Sequence, residues 1–164
     1  MRLLHRIGLV GLAGAMLAAP VASQKPDDQI HPRSIELMRQ GESLLATGKF
    51  AEADDALETA LAVDPRNRAA FVTMARVAIK QRLFGQAIRL TNRALALEPD
   101  DRDAITVQGE AMVELGALPR ARANLAKLQK LCPANCPQVA LLGAAIARGP
   151  AMAAATPPAT KKVN

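Results

Sequence analysis

The sequence predicts an all-α protein, an α-solenoid of three helix-turn-helix units closed by one further helix. Three observations predict it. Matched residues recur at a fixed offset of 34: Ala53, Ala87 and Ala121; Pro65, Pro99 and Pro133; Gly41, Ala75 and Gly109; and Phe50, Phe84 and Leu118. Small residues, one large apolar residue and a proline held in register at that period mark stacked two-helix units, each of which buries its apolar face only against a neighbour. The composition is half hydrophobic yet 2% aromatic, with no Trp or Tyr, so alanine and leucine dominate and favour helices over a β-sandwich or barrel. A length of 164 residues fits one domain whose core needs most of the chain.

Residues 1–23 read as a secretory signal. Arg2, His5 and Arg6 give a positive start, Ile7 to Ala19 a short apolar run and Pro20 a break. Val21-Ala22-Ser23 then supplies small residues for cleavage after Ser23. The run is interrupted by Gly8, Gly11 and Gly14 and falls short of the roughly 18 residues expected of a spanning helix, an uncleaved anchor being the alternative. Residues 24–33 form an N-terminal tail. The mature chain is expected to be exported and not inserted in a membrane.

The first unit covers residues 34–67. Ile35, Leu37, Met38, Leu44 and Leu45 make an apolar helix face, and Gly48 gives a left-handed stop. Phe50 opens the second helix, striped by Ala53, Leu57, Ala60 and Leu61, and Asp64-Pro65 ends it, because the residue before proline avoids helical geometry. The second unit, 68–101, repeats this with Phe71, Met74, Ala75 and Ala78, then Ala87, Leu90, Ala94 and Leu95. The third, 102–135, has Ile105, Gly109 and Met112, then Gly116, Ala121, Leu125, Leu128 and Leu131. Residues 136–149 hold a capping helix with Val139, Leu141, Leu142, Ala145 and Ile146 apolar, started by Pro137 and stopped by Gly149-Pro150. Residues 150–164, rich in Ala, Pro and Thr and carrying Lys161-Lys162, show no apolar pattern and read as a disordered tail.

Little is left for chemistry. The net charge of +6 reads as a solvated helical surface with a mild basic excess. Nucleic-acid binding is not expected, since the cations are interspersed with acids and no aromatic platform accompanies them. Outside the leader the one histidine is His31, no G-x-S-x-G turn exposes a nucleophile, and the adjacent Asp54 and Asp55 point about 100° apart on a helix. No cofactor, no metal site and no enzymatic activity are expected. Cys132 and Cys136, the two cysteines, flank the junction of the last unit and the capping helix. In an exported chain so close a pair suggests a disulfide that fixes the capping helix. Two free thiols, a redox pair or a metal site are the alternatives, the spacing departing from C-x-x-C.

These residues resemble the tetratricopeptide repeat family. Its bulky fourth position is held by Leu37, Phe71 and Ile105, its small eighth by Gly41, Ala75 and Gly109, its twentieth alanine by Ala53, Ala87 and Ala121, and its proline by Pro65, Pro99 and Pro133. Gln40 and Gln108 stand at position seven, and Leu57, Thr91 and Leu125 replace the usual aromatic at twenty-four. The resemblance covers residues 34–135. It implies a binding groove on the first helices of the units, lined by Ile35, Met38, Glu42 and Leu45, then Val72, Arg76, Ile79 and Lys80, then Asp103, Thr106, Glu110 and Glu114. Such a groove suits a peptide or helix with an apolar anchor and charges of both signs. Family members that clamp a chaperone's terminal carboxylate use Lys and Asn where this chain has Met38 and Glu42, so that clamp is not expected. What the resemblance and the leader imply is a periplasmic, non-catalytic adaptor for a protein or peptide partner, or alternatively a holdase-like chaperone for exported proteins. The partner's identity and the oligomeric state are not encoded.

Overall fold

The structure, a computed structural model, describes residues 29–151. The expected leader, most of the N-terminal tail and all but the start of the C-terminal tail lie outside the described residues. Among these residues the helical elements in order are α1 (Pro32–Ala46), α2 (Phe50–Val63), α3 (Arg68–Lys80), α4 (Phe84–Leu97), α5 (Arg102–Glu114), α6 (Leu118–Leu131) and α7 (Pro137–Arg148). Among the described residues there is no strand, and no helix is long and apolar enough to cross a membrane.

Helices α1 and α2, α3 and α4, and α5 and α6 pack as hairpins, and the first helices α1, α3, α5 and α7 also pack side by side. The small residues make this possible. A methyl group on Gly41 would lie 2.5 Å from Cγ of Leu57, and one on Gly109 would lie 2.6 Å from Cδ1 of Leu142. Ala53, Ala87 and Ala121 are fully buried. The core is accordingly a row of clusters rather than one centre: Leu37, Leu57, Ala70 and Val77 join the first two units, Val72, Ala94, Ala104 and Val107 the next two, and Ile105, Leu128 and Leu142 hold α7.

The turns inside units and the joints between them use different chemistry. Inside each unit a left-handed residue reverses the chain: Gly48, Arg82 and Gly116 have φ of 77°, 64° and 73°. The next N–H then bonds back across the helix end, Lys49 to Leu44 O at 3.0 Å, Leu83 to Ala78 O at 2.7 Å and Ala117 to Met112 O at 2.8 Å, which satisfies carbonyls the helix leaves open. At the joints, side chains cap the following helix instead. Asn67 accepts from Ala70 N–H at 3.1 Å and Asp101 from Ala104 N–H at 2.6 Å, whereas α2, α4 and α6 have no side-chain cap. Helix α1 begins at Pro32, two residues ahead of Ser34, because proline suits the first helical position and the His31 ring accepts from Arg33 N–H at 3.1 Å.

The first joint is tied most heavily. Asn67 Nδ2 donates to the Ser34 hydroxyl at 2.8 Å and to Ser34 O at 3.2 Å, and that hydroxyl donates to Ala60 O at 2.7 Å. Asp64 receives Arg66 through Nε and Nη2, both at 3.2 Å, and the His31 N–H at 2.9 Å. The Arg66 bonds are the main reason its carboxyl is held down at about 2, despite being taken out of water.

Helix α7 is the first helix of a fourth unit. Gly143 falls 34 residues after Gly109, and the buried Leu142 and Ala145 stand in register with Met74 and Val77, the residues through which α3 meets the unit before it. It starts one residue late: Asn135, in register with the caps Asn67 and Asp101, instead takes φ of 50°, and Cys136 becomes the residue ahead of the helix without a side-chain cap.

Candidate functional site

The face made by α1, α3 and α5 brings most of the implied groove residues together, in three separate places. A cleft of about 90 Å³ is edged by Glu42, Val72, Thr73, Arg76 and Asp103. A hollow of about 400 Å³ at the other end of the helices is lined by Ile79, Lys80, Phe84, Glu110, Glu114, Arg148 and Ala151. Met38 and Ile35 line a third hollow with Ala69 and Leu97, at the joint side of the stack. Leu45 is half-buried against the cluster of the first unit.

Two of the implied residues turn into the stack. Thr106 is 4% exposed and its hydroxyl donates to Arg102 O at 2.7 Å, because α7 covers this part of α5. Val72 is 3% exposed and belongs to the core between units, reaching the cleft only at its edge.

Charges on this face pair across units. Arg76 Nη2 lies 3.9 Å from Asp103 Oδ1 and Arg148 Nη2 lies 3.8 Å from Glu114 Oε1, while Arg68 pairs with Asp101 at the two ends of the second unit. Gln138 of α7 donates to Asp103 at 3.1 Å, and Ala151 N–H to Glu114 Oε2 at 2.9 Å. Burial pushes the Glu110 carboxyl up, opposed by the nearby charges of Arg76, Arg148 and Lys80 and reinforced by Glu114. The face therefore carries both signs at fixed positions beside half-buried aliphatic surface at Ile79 and Met38, chemistry suited to a mixed apolar and charged segment. The sequence reading had no part for Arg148, although it stands 34 residues after Glu114 and 68 after Lys80, a register that marks it as a residue of this face.

The opposite face is sorted by sign. Helix α2 carries Glu52, Asp54, Asp55 and Glu58 and no cation, while α4 and α6 carry Arg89, Arg93, Arg120, Arg122, Lys127 and Lys130 and no acid. The cations interspersed with acids along the chain are thus separated by helix. Asp54 is shifted up by burial against a bond from Gln81 Nε2 at 3.1 Å, a tie between α2 and the end of α3.

Cys132 and Cys136 have Cα atoms 5.8 Å apart, a separation that a disulfide spans. Among the described residues no cluster of three or more His, Cys, Asp or Glu is placed to hold a metal, and no buried side-chain polar atom lacks a partner.

Paired helices stacked in one direction, with small residues in their seams and a face of first helices left open, define a helical-hairpin solenoid. Residues 44–108 match the family model for the tetratricopeptide repeat. Solved structures agree in fold: the first such domain of human RPAP3 is 24% identical, covering 71% of this chain and 94% of that one at a TM-score of 0.63. The Sgt2 domain from Aspergillus fumigatus is 18% identical, covering 72% and 79% at a TM-score of 0.66. The first domain of Spaghetti, solved with the HSP90 peptide SRMEEVD, is 24% identical, covering 70% and 94% at 0.62. No curated protein matches the sequence. The chain is thus similar to the tetratricopeptide repeat over residues 44–108 and shares its fold.

Proposed function

We propose that the chain is a non-catalytic interaction module that holds an extended segment or helix of a protein partner on the face of α1, α3 and α5. The observation that carries this reading is the hollow of about 400 Å³ where Ile79 and Phe84 adjoin Lys80, Glu110 and Glu114. It offers an apolar seat ringed by fixed charges of both signs. The similar folds support it, since Spaghetti's first domain is described with the HSP90 peptide SRMEEVD and the second RPAP3 domain with the HSP70 peptide SGPTIEEVD. Those peptides end in acids. Here Glu42 and Asp103 stand on the open face and Met38 replaces a cation, so an acidic tail is repelled and the partner is of a different kind. The leader at residues 1–23 supports a place in the bacterial cell envelope, with the mature chain periplasmic and the cysteine pair oxidised.

Exposed Leu83, Leu97, Leu115 and Leu141 favour a second reading, a holdase that shields unfolded exported chains. Affinity capture from envelope extract followed by mass spectrometry separates the two. One stoichiometric partner, lost from the Arg76→Glu/Lys80→Glu chain at unchanged melting, supports the adaptor. A broad set of unfolded clients supports the holdase, and undiminished capture by the double variant moves the site off this face.

A further inference from the structure

We propose that the outer face of α4 and α6 docks the chain on an anionic lipid surface. Contact is with the phosphate headgroups, not the bilayer interior, and the acidic α2 is turned away. The proposal does not depend on what the inner face binds.

The sorting of charge along the stack is the first ground. Arg89 stands 34 residues after Asp55, and Arg120 and Arg122 stand 68 after Glu52 and Asp54, so equivalent positions change sign from the first unit to the later ones. Arg89 and Arg93 share one face of α4, and Lys127 and Lys130 share one face of α6. These four are exposed, as are Arg120 and Arg122, and neither helix carries an acid. Lys127 is engaged by Asp100 at 3.1 Å. Among the described residues the other five cations make no ion pair. Such a face projects an uncompensated positive potential and attracts an anionic surface.

Shape and apolar content select a lipid surface among anionic partners. None of the six cations lines a hollow described above, so no pocket beside them seats a partner's side chain. Between them stand small exposed residues, Ala96 on α4 and Ala123 and Ala126 on α6. Among the described residues no exposed large apolar side chain belongs to α6, and Leu97 of α4 lies in the hollow beside Met38. A protein interface is built on a core of apolar and aromatic anchors, and a single-stranded nucleic acid on stacking platforms. This face has neither. Headgroup phosphates require only cations spread over a surface, each worth roughly fivefold in affinity within a screening length.

The same sorting sets the orientation. The exposed Glu52, Asp55 and Glu58 of α2 are repelled by the lipid, so the chain rests on α4 and α6 with its first unit tilted away. The face of α1, α3 and α5, on the opposite side, stays open to a partner.

Co-sedimentation of the full chain with phosphatidylcholine vesicles, with and without phosphatidylglycerol, tests the docking. Arg89→Glu/Arg93→Glu is compared with Arg39→Glu/Lys49→Glu, an exposed pair of the first unit whose reversal changes the net charge equally. The expected result is salt-sensitive binding to the anionic vesicles that falls at least about 25-fold with the α4 pair and less than about threefold with the first-unit pair. Acetylation of the vesicle-bound wild-type chain needs no substitution: Lys130 is expected to be protected while Lys49 and Lys80 stay reactive. Equal losses with the two pairs, or a reactive Lys130 on the bound chain, overturn the proposal. So does retention on heparin without vesicle binding, which assigns the cations to another polyanion.

Discussion

The joint between the first two units and the joint ahead of α7 occupy the same register and are built from opposite materials. At the first, Asp64, Pro65 and Asn67 form a hydrogen-bonded knot: Asn67 is 2% exposed, caps α3 and holds Ser34, while Asp64 gathers Arg66 and His31. At the last, Cys132, Pro133 and Asn135 stand in those places; Asn135 turns left-handed and Cys136 precedes α7 without a cap. The inner joint has a unit on each side to bury it, so polar side chains can be fully partnered there. The last joint has a unit on one side only, and there two cysteines with Cα atoms 5.8 Å apart flank the turn in place of fully partnered polar side chains. Geometry at the seams differs in the same way. Gly109 is closed off by Leu142, whereas Gly143, the equivalent residue of the fourth unit, has nothing within 4 Å of where a methyl group would sit.

The comparison is most sharply broken by removing the knot. Asn67→Ala deletes a cap and two buried bonds and is expected to cost about 2–3 kcal/mol. Asn135→Ala, which loses only the tolerance of asparagine for a left-handed backbone, costs about 1 kcal/mol. Equal losses in chemical denaturation of the two variants would remove the distinction between the joints.

The glycines give a pair of opposite sign. Gly109→Ala places a methyl group 2.6 Å from Leu142 Cδ1 and is expected to cost about 1–3 kcal/mol by overpacking. Gly143→Ala meets open space inside a helix and should stabilise by about 0.5–1 kcal/mol. Melting curves of the two single variants decide it; a stabilising Gly109→Ala would mean that α7 does not close on α5 as described.

Reducing the cysteine pair is expected to cost roughly 2 kcal/mol at most, because the loop it closes is so short. The loss should appear as faster amide exchange in α7 with α1–α4 unchanged, and labelling of both thiols in unreduced protein would show that no disulfide was there to lose.

Acid distinguishes the joints most gently. The Asp64 carboxyl is held at about 2, below its ordinary value, so its contribution is complete above about pH 4 and is lost as pH falls through 2. Cys132, at the matching place, has no such response. Asp64→Asn should flatten that part of the stability–pH curve, and an unchanged slope would assign it to other carboxylates.

Much of this fold is legible in the sequence because small residues and prolines are demanded by contact distance and backbone geometry, not by surroundings. Gly41 and Gly109 read correctly because no larger residue fits against Leu57 or Leu142. The status of α7 is harder to read. It starts one residue late, after Asn135, and the described residues end at Ala151, before a second helix could complete the unit. The candidate site is less legible still. That Val72 and Thr106 are both buried depends on how closely the next first helix approaches, and the pairing of Arg76 with Asp103 joins residues of different units whose separation is set by the stacking angle. The segregation of charge on α2, α4 and α6 is written in the sequence, but it becomes visible only when charges are counted helix by helix.

The central claim, that the inner face holds the partner, is tested most directly by hydroxyl-radical footprinting of the full chain with and without its captured partner. Protection of Met38, Leu45 and Ile79, with Leu83, Leu115 and Leu141 unchanged, is the predicted result. Protection confined to those three outer leucines, with the inner residues still reactive, would contradict it.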